Sequence, residues 1–206
     1  MSHWKRAVIS SLLALCASSA AWAADFPEVD LARAEEISMG RCFLCHGAEG
    51  ESTTALYPRL AGQHYQYIAK QLADFKAGRR QSDTMVNMAA DLSPEEMLAL
   101  GVYFEQKPTR AQDVQDGELA AIGRFIFRRG NEYSGVAACA SCHGERGLGT
   151  SQLPRLAGQV PQYIERQLRS FNTRNRTNDN AVMHSIASRL TELEIRSVAL
   201  YISSLN

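Results

Sequence analysis

Residues 58–75 read PRLAGQHYQYIAKQLADF, and residues 154–171 read PRLAGQVPQYIERQLRSF. The two stretches are identical at 12 of 18 positions, with a constant offset of 96 residues. Self-similarity at one fixed offset is typical of a duplicated structural unit. The sequence therefore predicts two copies of one small domain in tandem.

The duplication extends outward from this block. Each copy contains a pair of cysteines followed directly by a histidine, and the offset between the copies is 97: Cys42, Cys45 and His46 correspond to Cys139, Cys142 and His143. Residues 106–117 (QKPTRAQDVQDG) are polar, include proline and glycine, and lack apolar periodicity, which is typical of a connection. We predict domain 1 at residues 24–108, a linker at 109–116 and domain 2 at 117–206.

Both copies have the apolar spacing of helices. In the shared block the apolar residues recur every three or four positions, at Tyr65, Ile68, Leu72 and Phe75 in the first copy and at Ile164, Leu168 and Phe171 in the second. Opening helices are predicted from Asp30 to about Gly40 and from Glu118 to about Arg129. Each leads into a cysteine pair.

The last helix of each copy has a defined start. Ser93 lies three residues before Glu96, and Thr191 lies three residues before Glu194. A hydroxyl followed three residues later by glutamate is the pattern of a capping box. No segment shows sustained strand alternation, so the sequence predicts an all-α fold.

The segments CFLCH (42–46) and CASCH (139–143) both have the form C-x-x-C-H. This spacing is the haem-attachment signature, since two thiols add to the two vinyl groups and the adjacent histidine binds the iron. The sequence predicts two covalent haem c groups, held by Cys42 and Cys45 and by Cys139 and Cys142, with His46 and His143 as axial ligands. A zinc site and a redox disulfide are the alternatives. Neither explains the repeated histidine.

The second axial ligand of each iron is predicted to be a methionine. Met85 and Met183 correspond at an offset of 98, and each is predicted to lie in a loop, seven residues before the leucine that precedes a helix cap. Met88 is the alternative in domain 1, although its counterpart is Ile186. Histidine–methionine ligation favours reversible one-electron transfer over reaction with oxygen or peroxide.

Two further histidines are rival ligands. His64 corresponds to Val160, and His184 corresponds to Val86, so neither position is repeated. We therefore expect both to be partly exposed histidines outside the ligand set.

The first 23 residues have the composition of a secretory signal peptide. Lys5 and Arg6 precede an apolar stretch, and Ala21-Trp22-Ala23 offers a cleavage site. The stretch is too short to span a bilayer, so we expect a periplasmic protein without membrane insertion. A lipid anchor at Cys16 is the alternative, which leaves membrane association open.

Charge is divided unevenly between the halves. Residues 24–108 carry 13 acidic and 8 basic side chains, whereas residues 109–206 carry 9 acidic and 12 basic ones. The mature chain is close to neutral and implies no nucleic-acid partner. Positive surroundings favour a reduced centre, so we expect the higher reduction potential in domain 2.

Over essentially all of residues 24–206, the chain resembles the diheme cytochrome c4 family. The resemblance rests on the two C-x-x-C-H modules, on PRLAGQ after each, and on RTNDNAVM (176–183) before the last capped helix. Each half also resembles a class I cytochrome c domain, which makes the expected fold a tandem duplication of that domain.

The resemblance implies roles for further residues. In class I cytochromes a proline carbonyl accepts the ring N–H of the haem histidine, a role that falls here on Pro58 and Pro154. Three more matched pairs are candidates to bind the haem propionates, with helix surface as the alternative: Arg59 and Arg155, Gln63 and Gln159, and Tyr67 and Tyr163.

The family also implies partners, namely a quinol-oxidising cytochrome bc complex as donor and a terminal oxidase as acceptor. We expect an electron carrier of a respiratory chain and no enzyme activity. One alternative is a diheme subunit of a flavoprotein or quinoprotein dehydrogenase. A diheme peroxidase is disfavoured, because both modules offer a methionine.

Overall fold

The computed structural model of this chain describes residues 26–52 and 54–206. The predicted signal peptide, with Cys16, lies outside the described residues. Within them the chain forms helices, and β pairing is confined to two isolated bridges, Arg80 with Arg176 and Asn131 with Val136. The predicted all-α fold is confirmed.

The first half contains helices α1 to α5. Their bounds are Leu31–Ile37 (α1), Phe43–His46 (α2), Tyr65–Lys76 (α3), Asp83–Ala89 (α4) and Pro94–Glu105 (α5). A π-helical turn, Ser38–Cys42, joins α1 to α2. The opening helix therefore runs without a break into the cysteine pair.

The second half repeats this order with helices α6 to α10. Their bounds are Gly117–Arg129 (α6), Ala140–His143 (α7), Pro161–Asn172 (α8), Val182–Ala187 (α9) and Glu192–Ser203 (α10). Here a loop separates the opening helix from the cysteine pair, closed by the bridge between Asn131 and Val136.

Local sequence explains where the long helices begin. Ser93 and Thr191 both form the predicted capping box, accepting from the backbone N–H of Glu96 at 3.1 Å and of Glu194 at 3.2 Å. Each glutamate in turn accepts the backbone N–H of its cap residue. Such caps satisfy N–H groups that lack a partner within the helix.

Each half has its own hydrophobic core around its last helix. Helix α5 packs against α1 and α3, and α10 packs against α6 and α8. Phe104 and Phe127 are almost fully buried, and each contributes about 1.5–3 kcal/mol through burial. Gly123 permits the close approach of α6 to α10, because a Cβ at this position would overlap the carbonyl oxygen of Ser197 on α10.

Within residues 26–52 and 54–206, no helix combines the length and the apolar character needed to cross a bilayer.

Candidate haem-binding sites

The cysteines of each motif lie on one helical turn, three residues apart. All four are free thiols: Cys42, Cys45, Cys139 and Cys142. Burial raises the pKa of the Cys42 thiol to about 11 and that of the Cys139 thiol to about 11. Residues three apart share a helix face, which places each pair to hold one group.

Both histidines of the motifs are buried, each 6% exposed, and held by a proline carbonyl. His46 Nδ1 donates to Pro58 O at 2.8 Å, and His143 Nδ1 donates to Pro154 O at 3.0 Å. A carbonyl can only accept, so Nδ1 carries the proton and Nε2 keeps a lone pair for a metal. Burial also lowers the pKa of both rings, which keeps them neutral.

The two candidate methionines lie on short helices, where the sequence predicted a loop. Met85 is in the first turn of α4, and its N–H donates to the Ser82 hydroxyl at 3.2 Å. Met183 is in the first turn of α9, and its N–H donates to Asp179 at 2.6 Å. These polar side chains stabilise helix starts. Both methionines are half-buried and pack against the hydrophobic core of their own half.

Met88 also lies on α4 and is half-buried. The backbone carbonyl of Met88 accepts a hydrogen bond from Arg41 at 3.3 Å. Met85, unlike Met88, is among the side chains that pack against the hydrophobic core of this half, and the choice of Met85 as the ligand stays a prediction.

His64 and His184 are half-buried, and each has a partner within the protein. His64 Nε2 is 2.8 Å from Leu148 O, and its Nδ1 is 3.4 Å from Glu105 Oε1. His184 Nδ1 is 2.9 Å from Phe171 O. Both ring nitrogens of His64 are thus engaged, which argues against a role as metal ligand.

Arg59 and Arg155 carry buried donors that lack a partner. The Nε atoms of both side chains are buried and without a hydrogen bond among the described residues. A cavity of about 360 Å³ between the halves is lined by both arginines. Leaving a buried charged donor unpaired is costly, so these atoms fit an anionic group such as a haem propionate.

The glutamines of the matched pairs join the two halves, and none of the three pairs is mere helix surface. Gln159 accepts from Arg59 N at 2.7 Å and donates to Arg59 O at 3.0 Å. Gln63 does the same with Arg155, accepting from its N–H at 2.8 Å and donating to its carbonyl at 2.9 Å. The two bridges are reciprocal, since each glutamine bonds to the backbone of the arginine in the other half.

Tyr67 and Tyr163 also contact the opposite half. Their hydroxyls accept from Arg176 at 2.9 Å and from Arg80 at 2.8 Å, respectively. Neither arginine was predicted as a site residue, although Arg176 is the first residue of the RTNDNAVM segment. They correspond at an offset of 96, the same as the repeated block, and that offset is the signal that could have found them.

The zinc and disulfide alternatives find no support at these positions. Among residues 26–52 and 54–206, no three His, Cys, Asp or Glu side chains form a group that could hold a metal ion. The thiols of each motif are unpaired. Two thiols directly followed by a neutral histidine, in each half, instead fit a haem, which brings its own iron.

Comparison with known proteins gives the same interpretation. The cytochrome c family model matches residues 31–126 and 127–206. Cytochrome c4 of Thiocapsa roseopersicina is 40% identical over 171 residues, covering 81% of this chain and 88% of the relative. The thiosulfate dehydrogenase electron acceptor of Stutzerimonas stutzeri (strain A1501) is 34% identical over 214 residues, covering 98% and 94%.

A solved structure has the same architecture. Reduced recombinant cytochrome c4 from Pseudomonas stutzeri is 32% identical, with a TM-score of 0.82, and covers 87% of this chain and 100% of the solved one. The two tandem cytochrome c domains of this chain thus have the fold of that structure. The chain therefore belongs to the diheme cytochrome c4 family of electron-transfer cytochromes and carries two covalently bound haem c groups.

Proposed function

We propose that this chain is an exported, periplasmic carrier of single electrons without enzyme activity of its own. Cys42 and Cys45 hold one haem in a domain at residues 24–108, and Cys139 and Cys142 hold the other in a domain at 117–206. Residues 109–116 connect the two. The proposed leader at residues 1–23 directs the chain to the compartment where its redox partners are found.

The axial ligands are proposed to be His46 with Met85 and His143 with Met183. A haem with both axial positions filled supplies reversible one-electron chemistry and leaves no open site for a substrate. Pro58 and Pro154 orient the two histidines, and their carbonyls make the rings better ligands. The chain thus holds its redox centres fixed while the electron enters and leaves.

One observation carries this proposal, namely the hydrogen bond from each motif histidine to a proline carbonyl. It occurs in both halves, at 2.8 and 3.0 Å. It places a neutral, oriented imidazole next to two free thiols twice in one chain. A redox disulfide requires no such histidine, and a structural zinc site requires four ligands, whereas the described residues contain no group of three or more His, Cys, Asp or Glu side chains that could hold a metal ion.

The direction of transfer is proposed from charge. The half with His46 is negative and the half with His143 is positive, as counted from the sequence. Clustered charge steers encounter and orients docking, so each half meets a different partner. We propose a cytochrome bc complex as donor to domain 1 and a terminal oxidase as acceptor from domain 2.

A redox titration of the purified protein tests this direction. We expect two one-electron waves, with the higher potential assigned to domain 2 through variants at Met85 and Met183. A higher potential in domain 1 contradicts the proposed direction, and so does a single unresolved wave.

A second candidate function is electron acceptor for a thiosulfate-oxidising enzyme. It is favoured by the relative from Stutzerimonas stutzeri, whose match covers nearly the whole of both chains. Purification from native periplasm separates the candidates, because an acceptor subunit brings a stoichiometric dehydrogenase with it. A chain that elutes alone and is reduced by a bc complex supports the free carrier.

A further inference from the structure

A buried arginine of domain 1 reaches across the boundary between the domains. Arg80 is 8% exposed, and its guanidinium stacks on Phe75 of its own domain at 4.6 Å from the ring centroid. It donates to Gln71 of its own domain at 2.7 Å. Its other nitrogen, Nη2, donates to Tyr163 at 2.8 Å and to Gln167 at 3.0 Å, both in domain 2.

Arg176 of domain 2 does the same in the opposite direction. It is 8% exposed and stacks on Phe171 at 4.5 Å. It donates to Gln167 of its own domain at 2.7 Å. It also donates to Tyr67 at 2.9 Å and to Gln71 at 3.1 Å, both in domain 1.

The two arginines lie side by side, because their backbones form an isolated antiparallel bridge. A guanidinium is a planar, rigid fork, so donating to two domains at once fixes both distance and angle. Stacking on a phenylalanine holds the plane of each fork. Two crossed forks therefore permit one relative orientation of the domains.

Further hydrogen bonds cross the boundary next to the two arginines, and they are not repeated in the opposite direction. Asn178 of domain 2 donates to Asp74 of domain 1 at 2.7 Å, and Lys70 donates to Asn178 O at 2.9 Å. Asp74 is 3% exposed, and its carboxylate also accepts hydrogen bonds from Lys70 and Arg79 of its own domain. The buried carboxylate is thus paired, which limits the cost of burying it.

We infer that Arg80 and Arg176 are positioning residues that set the relative orientation of the two cytochrome domains. This inference rests on the proposed function only in its consequence, which is that the path of the electron between the domains has a fixed length. Neither arginine touches a thiol or histidine of the motifs. They act by holding the two domains together at their boundary.

Hydrogen exchange tests the inference directly. The backbone amides of Arg59 and Arg155 bond to glutamines of the opposite domain, whereas those of Ser52 and Gly149 bond within their own domain to His46 O and His143 O. We expect the double variant Arg80→Gln, Arg176→Gln to exchange about 100-fold faster at Arg59 and Arg155 only, since several charge-assisted hydrogen bonds are lost.

The matched control is Arg79→Gln. Arg79 is the neighbouring residue, is exposed, and pairs with Asp74 at 2.7 Å without reaching domain 2. We expect its exchange pattern to equal that of the unaltered protein. Unchanged exchange at Arg59 and Arg155 in the double variant would overturn the inference.

A milder pair of variants covers the case in which the double variant unfolds, which faster exchange at Ser52 and Gly149 would reveal. Arg80→Lys and Arg176→Lys keep the charge and remove the fork, and we expect about tenfold faster exchange at the cross-domain amides alone. Exchange equal to that of the unaltered protein overturns the inference.

Electron exchange between the domains provides a readout that loss of stability would not reproduce. In the lysine variants we expect it to slow while the methionine–iron absorption band of both haems is retained. The hydrogen-exchange result does not depend on electron transfer. A failure of the proposed function and a failure of this inference are therefore distinguishable.

Discussion

Around His46 in domain 1 and His143 in domain 2 the structure is nearly the same, but the chain that leads into each histidine differs. In domain 1 a π-helical turn carries α1 directly into α2. In domain 2 a loop intervenes, and Asn131 at its start donates to Glu194 of the α10 capping box at 2.7 Å. The difference shows that the haem site tolerates different connections between the opening helix and the cysteine pair, provided that the histidine still donates to its proline carbonyl.

The residues between the cysteines differ as well. Phe43 and Leu44 are 37% and 77% exposed, whereas Ala140 is buried and Ser141 is a small exposed hydroxyl. Together with the opposite charges of the halves, this gives the two motifs different surfaces. The interior is therefore similar in the two domains, whereas the surface that a partner contacts differs between them.

Removal of one cysteine pair should have the largest effect on this comparison. Cys42→Ser with Cys45→Ser should leave one covalent haem, on domain 2, because the two thioether bonds of domain 1 cannot form. Mass spectrometry of the mature protein should show a single haem addition. Ser141→Ala is the control and should keep two. A variant that still carries two haems contradicts the assignment of these cysteines.

Loss of one methionine ligand should have the next largest effect. Met85→Ala should remove about half of the methionine–iron absorption, since one of two irons loses its ligand. Met183→Ala should do the same in domain 2, and Met88→Ala should keep the full band. If Met85→Ala keeps the full band and Met88→Ala loses about half of it, the alignment of the two halves is wrong at this helix.

The packing between helices should be sensitive to substitution of one glycine in each domain. Gly123→Ala should destabilise domain 2 by about 3 kcal/mol, because its Cβ would overlap Ser197 O on α10. Gly101→Ala should act similarly in domain 1 through the Tyr65 backbone. Urea unfolding measures both. Gly117→Ala, where no atom lies within 4 Å of the added Cβ, is the control and should cost little.

The two capping boxes should differ in strength. Ser93→Ala should cost about 1 kcal/mol and Thr191→Ala about 2 kcal/mol. The larger cost is expected in domain 2 because Thr191 also donates from its hydroxyl to the largely buried Glu194 at 2.9 Å. Equal costs by thermal unfolding would show that this extra bond contributes nothing.

The smallest effect concerns pH and Asp74, whose counterpart in domain 2 is Ser170. Burial raises the pKa of Asp74, but hydrogen bonds from Lys70, Asn178 and Arg79 outweigh it and hold the pKa below its ordinary value of 3.8. The stabilisation is complete above the unfolded pKa and is lost as pH falls through the lower folded one.

Acid unfolding of Asp74→Asn measures this contribution. The unaltered protein should lose more stability than the variant when the pH is lowered from about 7 to about 3. Parallel loss of stability in the two proteins would mean that Asp74 is not stabilised in the folded state.

The sequence by itself determined the duplication, the helical class, the capped starts of α5 and α10, and the two haem signatures. These features depend on neighbouring residues, because helix periodicity, capping and C-x-x-C-H spacing all act within a few positions of the chain. The hydrogen bonds of His46 and His143 to prolines came only through resemblance, since they close loops of 12 and 11 residues.

Only the tertiary structure decided how the matched polar residues are used. Gln63 and Gln159 bridge the domains, and Arg80 and Arg176 cross between them, over separations of 83 to 109 residues. Helix α4 likewise replaced the predicted loop at Met85, because the Ser82 cap and core packing outweigh the weak local pattern. A hydrogen bond across two domains depends on their relative placement. No local pattern encodes that placement, because it results from many weak contacts acting together.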